Sequence, residues 1–156
     1  MKRHIPFAIA FGLCAGFFAS LLIGLISGAI EAYIDPYANS AGGDSLLYLA
    51  GLCAVSALPL LASFIIEIIL FFKDLKAEKS MSLKTVNILF IACIVVASAF
   101  LLQGIWVYID MFTIQIISND FNAAILIFTL LFGVLALAFT GLAIYLGIVK
   151  KKTAQE

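Results

Sequence analysis

Residues 5–34 read IPFAIAFGLCAGFFASLLIGLISGAIEAYI, and Glu31 is the one charged residue in the whole run. An apolar stretch of about 18 or more residues with few charges is long enough to cross the hydrocarbon of a bilayer as a helix. A secretory signal is the rival reading, because Met1-Lys2-Arg3-His4 precedes the run. The apolar region of such a signal is only about 7–15 residues long. Here the run is far longer, and Leu13 and Gly12 before Cys14 are a poor lipoprotein cleavage site. The stretch is expected to be a first membrane span.

Three further runs of the same kind follow, roughly over 46–72, 83–109 (or to 118) and 121–149. The chain of 156 residues is 65% hydrophobic and 12% charged, with a mean hydropathy of +1.21. A soluble domain is nearer half apolar and a quarter charged. Lipid offers the backbone no hydrogen-bond partners, so spans of this kind are helices. The expected fold is an all-α, integral membrane four-helix bundle, with residues 1–156 forming a single transmembrane domain.

The charges orient that bundle. All nine basic residues fall in three clusters: Lys2 and Arg3; Lys73, Lys76, Lys79 and Lys84; Lys150, Lys151 and Lys152. Two apolar runs separate each cluster from the next, so four crossings put every positive charge on one side. Lys and Arg concentrate in cytoplasmic segments. Both termini and the central loop are therefore expected in the cytoplasm, in a cell (inner) membrane. Glu31, Asp35, Asp44 and Asp120 fall in or beside the two outer loops, and Asp110 near the outer end of the third span. Tyr33, Tyr37, Tyr48, Trp106 and Tyr108 mark an outer aromatic belt.

Within the spans, Ala8, Gly12, Gly16, Ser20, Gly24, Gly28 and Ala32 place a small residue at every fourth position of the first. Small residues let helix backbones approach closely in lipid. Four residues turn an α-helix by about 400°, so this ladder winds around the axis and one straight neighbour cannot cover it. It is expected to pack within the chain, against a second copy, or against a membrane partner subunit. Gly133 and Gly141 of the fourth span are expected to face the first.

Pro59 lies midway along the second span, where it denies the carbonyl of Val55 its donor. Ser56 and Ser63 are near enough to help the freed backbone. Asp44 or Ser45 is expected to cap the second helix, and Ser80 or Ser82 the third. The third helix, if it reaches Ser118, is about 50 Å long and exceeds the hydrocarbon core of about 30 Å.

Glu67 is the one carboxylate well inside a span, and Pro59, Ser63 and Glu67 share a face at i, i+4 and i+8. Ionisable groups inside a membrane are functional candidates. Proton or cation coupling is the role expected of Glu67, with Pro59 as hinge. The competing expectation is a structural pairing with Arg3, Lys73 or Lys84. Glu31, Asp35, Asp110 and Asp120 form a second candidate, an outer rim of hard oxygen ligands for Ca²⁺ or Mg²⁺. Gln103 and Asn87 are expected to hydrogen-bond between helices.

Other chemistries find no residues. His4 is the sole histidine, which excludes bis-histidine haem and the usual zinc-hydrolase sites. Cys14, Cys53 and Cys93 all lie within spans and form no Cys-x-x-Cys pair, so they read as small hydrophobes. There is no glycine-rich phosphate loop and no nucleophile–base pair, and the basic clusters are membrane flanks rather than a nucleic-acid surface. No cofactor is expected.

The inner loop reads Lys76-Ala77-Glu78-Lys79-Ser80-Met81-Ser82-Leu83-Lys84. Together with four spans and inner termini, it resembles a family of bacterial four-span inner-membrane proteins, a domain of unknown function. Met81 stands where that family favours Phe, and the ending Lys152-Thr153-Ala154-Gln155-Glu156 lacks its acidic tail. The resemblance implies the fold and no activity. The leading expectation is a non-enzymatic subunit or accessory protein acting through helix packing. The alternative is a small oligomeric transporter or channel with Glu67 as coupling group.

Overall fold

The computed structural model describes residues 3–34, 40–77, 81–118 and 123–153. The described chain is all-helical: α1 Ile5–Ile34, α2 Ser40–Lys76, α3 Leu83–Ser118 and α4 Ala123–Thr153. Each helix is long and apolar enough to cross a membrane. The chain falls into two compact units, Met1–Glu78 and Lys79–Glu156, each a helical hairpin.

In the first unit α1 packs against α2. The buried positions of α1 are led by Phe7, Phe11 and Phe18, and those of α2 include Cys53, Ser56, Leu60, Ser63, Glu67, Leu70 and Asp74. Steps of three and four residues keep one stripe facing a partner helix, the spacing of left-handed antiparallel packing. The seam of α1 is thus a phenylalanine seam rather than the small-residue ladder. Of that ladder, a Cβ at Gly12 would lie 2.9 Å from the Phe64 ring and one at Gly28 would lie 3.4 Å from Leu46. Gly16, Ser20 and Gly24 are exposed. The 40° drift per step carries them off the seam.

The second helix is longer than expected at both ends. Residues 40–45 precede the expected second span, yet they form the first turns of α2. The Gly43 Cα approaches the Tyr33 ring so closely that a Cβ would stand 3.0 Å from it. The Tyr33 hydroxyl donates to the Asp44 carboxylate. Asp44 and Ser45 therefore lie inside the helix and do not cap it. At the other end Lys73-Asp74-Leu75-Lys76, read as loop, is helical. Lys73 and Lys76 lie in the last turn, where positive charge favours the negative end of the helix dipole.

The second unit packs α3 on α4. Val86, Leu89, Cys93, Val96, Phe100, Gln103 and Val107 form a buried stripe with strict three–four alternation. Phe100 stacks between Phe132 and Phe139, with 6.0 Å between ring centroids on each side. At Gly104 the helices come close, and a Cβ there would lie 3.5 Å from the Phe132 Cβ and 3.9 Å from the Thr129 carbonyl oxygen. Ser82 caps α3, its Oγ accepting from the Thr85 amide at 3.2 Å. Ser80 lies outside the described residues.

Candidate functional site

The site is built where the start of α1 meets the end of α2. The His4 carbonyl accepts from the amides of Phe7 and Ala8, each at 3.1 Å, which makes His4 the residue that opens α1. Pro6 sits in the first turn, where a missing N–H costs nothing. His4 continues the spacing of Phe7 and Phe11 and is buried with them.

On α2, Glu67 and Asp74 are seven residues apart. Two helical turns place them on one face, about 10 Å apart along the axis. Both are buried, as are Ser63 and Leu70 on the same face. His4 bridges the two acids. Its Nδ1 lies 3.0 Å from Glu67 Oε1, and its Nε2 lies 3.4 Å from Asp74 Oδ2. The first is a hydrogen bond; the second is an ion-pair distance beyond ordinary hydrogen-bond length. The Phe71 ring meets the imidazole edge-on, with centroids 5.6 Å apart.

Among the described residues, His4 Nε2 and Glu67 Oε2 are the buried side-chain atoms with no hydrogen-bond partner. Burial holds the His4 imidazole below its ordinary pKa, with Asp74 acting against that shift. A neutral imidazole with one free nitrogen and one bonded nitrogen can take a proton at one end and release it at the other.

A cleft of about 410 Å³ opens beside the cluster. Its apolar wall comes from Ile5, Ala8 and Ile9 of α1 and Ile68, Phe71 and Phe72 of α2. His4 and Glu67 also border it, both almost completely buried behind that apolar surface.

Glu67 and Ser63 are thus placed together, with Ser63 buried one turn away. Pro59 lies inside a helix that runs on through it. Ser56 donates to the Leu52 carbonyl at 3.0 Å. Glu67 is paired with His4 rather than with Arg3, Lys73 or Lys84, all of which are exposed. Asp35 and Asp120 of the expected outer cation rim lie outside the described residues, and Glu31 and Asp110 belong to different units. Among the described residues, no group of three or more His, Cys, Asp and Glu has the arrangement to hold a metal ion. Gln103 is buried in the seam of the second unit, and Asn87 is half-buried.

Two members of the cluster escaped the sequence reading. Asp74 falls beyond the expected end of the second span, and His4 lies just before the first, where the sequence names no partner for it. The three–four spacing of Ser63, Glu67, Leu70 and Asp74 was the available signal for the first. The same spacing in His4, Phe7 and Phe11 was the signal for the second. A scan of family models, a search of curated proteins and a search of solved structures each returned no match.

Proposed function

We propose that the chain is a four-span membrane protein with both termini in the cytoplasm, and that it works by loading and unloading a proton on Glu67, as a small proton-coupled transporter. The bridge of His4 between Glu67 and Asp74 carries this reading. Here a titratable ring links a carboxyl inside the span to a second carboxyl about two turns nearer the basic end of the helix. Among the described residues Glu67 has an imidazole rather than a Lys or Arg as its partner, so its charge is free to change by one proton. His4 Nδ1 can accept that proton while Nε2 passes one toward Asp74. The three basic clusters support the sidedness.

Infrared difference spectra of the reconstituted full chain, taken across a pH titration, test this. A protonated-carboxyl band is expected that vanishes in Glu67→Gln and whose titration moves in His4→Asn and Asp74→Asn. No Glu67-dependent band at any pH refutes the reading.

A second reading has its own observation. Gly16, Ser20 and Gly24 are exposed, and a Cβ at either glycine would meet nothing within 4 Å. That strip is smooth enough for close approach of another helix, from a second copy or a membrane partner. Crosslinking from single cysteines at Gly12, Gly16, Gly24 and Gly28 tests it. Contacts confined to the chain's own helices remove it.

A further inference from the structure

We propose that the cleft beside Glu67 binds a lipophilic organic cation, which takes the carboxylate in exchange for its proton. This rests on the reading of Glu67 as the proton-bearing group and names the class of molecule exchanged for the proton.

Three features of the cleft select the ligand. The first is size: about 410 Å³ lies within the range of roughly 300–1,000 Å³ that small-molecule sites occupy. The second is charge. Glu67 lines the cleft and its Oε2 is buried without a hydrogen-bond partner. Among the described residues no Lys or Arg contributes to the wall, and its one acid is Glu67, which suits a cation. The third is the apolar remainder of the wall. Phe71 and Phe72 put aromatic rings in the wall, a residue type that attracts cations, and Ile5, Ile9 and Ile68 suit a hydrocarbon body. A small hydrated ion needs several oxygen ligands in place of its water. The cleft supplies the one carboxyl, and no metal-holding group occurs among the described residues.

The exchange balances. Neutral Glu67 plus the cation gives the carboxylate–cation pair plus one proton. That proton passes to His4 Nδ1, and another leaves Nε2 toward Asp74. His4 at the start of α1 and Asp74 on α2 are the titratable groups facing Glu67 among the described residues. One carboxylate cannot hold proton and cation together, so the two compete.

Tetraphenylphosphonium and tetraphenylborate have nearly the same size and shape and opposite charge. Calorimetry on the full chain in lipid nanodiscs, in buffers of different ionisation heat, measures binding and protons released. The phosphonium is expected to bind with release of about one proton. While Glu67 is protonated, its affinity should rise roughly tenfold per pH unit. Glu67→Gln should weaken it by about 30-fold or more, as for loss of a buried charge partner. Glu67→Asp keeps the charge and should bind more tightly than the Gln variant. Ala8→Phe fills the cleft without touching a charge and should abolish binding, with the Glu67 infrared band retained.

Equal binding of tetraphenylborate, unchanged binding in the correctly sized Gln variant, or binding without proton release overturns the proposal. So does a failure of the wild-type chain to bind the phosphonium. If that failure comes with an intact, titrating Glu67 band, the cation site falls and the proton reading stands. If the band is also missing, both fall.

Discussion

The His4–Glu67 contact can be weighed by a double-mutant cycle, because its two possible characters differ in magnitude. Hydrogen bonds between membrane helices couple by about 0.6 kcal/mol on average and at most about 1.7. A hydrogen bond to a charged group contributes about 1.5–3 kcal/mol. Both partners are almost completely buried, 2% and 0% exposed, and lie 3.0 Å apart, so solvent screens the pair very little. His4→Ala, Glu67→Ala and the double variant are unfolded in detergent micelles with a graded denaturant, and the coupling is taken from the four stabilities. Near neutral pH, with the proton on the carboxyl, the coupling is expected at about 0.6–1.7 kcal/mol. At alkaline pH the ionised carboxylate accepts from Nδ1–H, and the coupling should rise to about 1.5–3 kcal/mol. Asp74→Asn removes the second acid and should make the carboxylate easier to form, moving that rise to lower pH. A coupling of zero at both pH values, or one that falls as the solution becomes alkaline, refutes the pairing as drawn.

Other consequences follow from packing and burial. Gly12→Ala puts a methyl 2.9 Å from the Phe64 ring and should destabilise the first hairpin by about 1–3 kcal/mol, whereas Gly16→Ala and Gly24→Ala, which meet nothing within 4 Å, should not. Denaturant midpoints compare the three. Phe100→Ala removes the middle ring of the Phe132–Phe100–Phe139 stack and should cost about 3–5 kcal/mol, while Leu102→Ala, at a position 67% exposed, should stay within about 0.5. The His4 term has a definite sign. Burial holds its folded pKa below the ordinary 6.5, so the unfolded chain binds a proton that the folded chain refuses. Stability from this group is complete above about pH 6.5 and is lost as pH falls from there through the folded value. His4→Asn keeps a donor toward Glu67 and should flatten that acid-side fall in melting temperature relative to wild type. An identical profile in the variant counts against burial of the ring.

Much of the fold was legible because span length and charge clustering are coarse signals. The first helix occupies the expected 5–34, and the third extends to Ser118, the longer of its two expected bounds. Helix ends were misread where a residue type has two uses. The Gly42-Gly43 pair signals a loop by composition, yet Gly43 serves close approach to the Tyr33 ring. Lys73-Asp74 signals solvent by charge but continues a helix whose buried face carries the acid. The ladder at every fourth residue meets α2 at Gly12 and Gly28 but does not trace the whole seam. The eye follows a period of four, whereas a hairpin seam recurs on average every 3.5 residues. Read at that spacing, α1 offers His4, Phe7, Phe11 and Phe18, and α2 offers Ser63, Glu67, Leu70 and Asp74. Glu67 is visible as an acid inside a span; His4 and Asp74 need the seam.

The choice of partner for Glu67 is the strongest argument that the cluster does more than hold the hairpin together. A permanent cation was close at hand: Arg3 is the neighbour of His4, and Lys73 is the neighbour of Asp74. Both are exposed, and the buried acids are met instead by the chain's one imidazole. An arginine in that place would fix the charge of the pair at any pH a cell reaches. A histidine leaves the charge free to change by one proton. The same choice leaves Glu67 Oε2 without a partner, which a guanidinium could have satisfied through its second donor. A cluster selected for stability alone would close that gap. Leaving it open beside an apolar cleft is what a proton site needs if something else is to compete for the carboxylate.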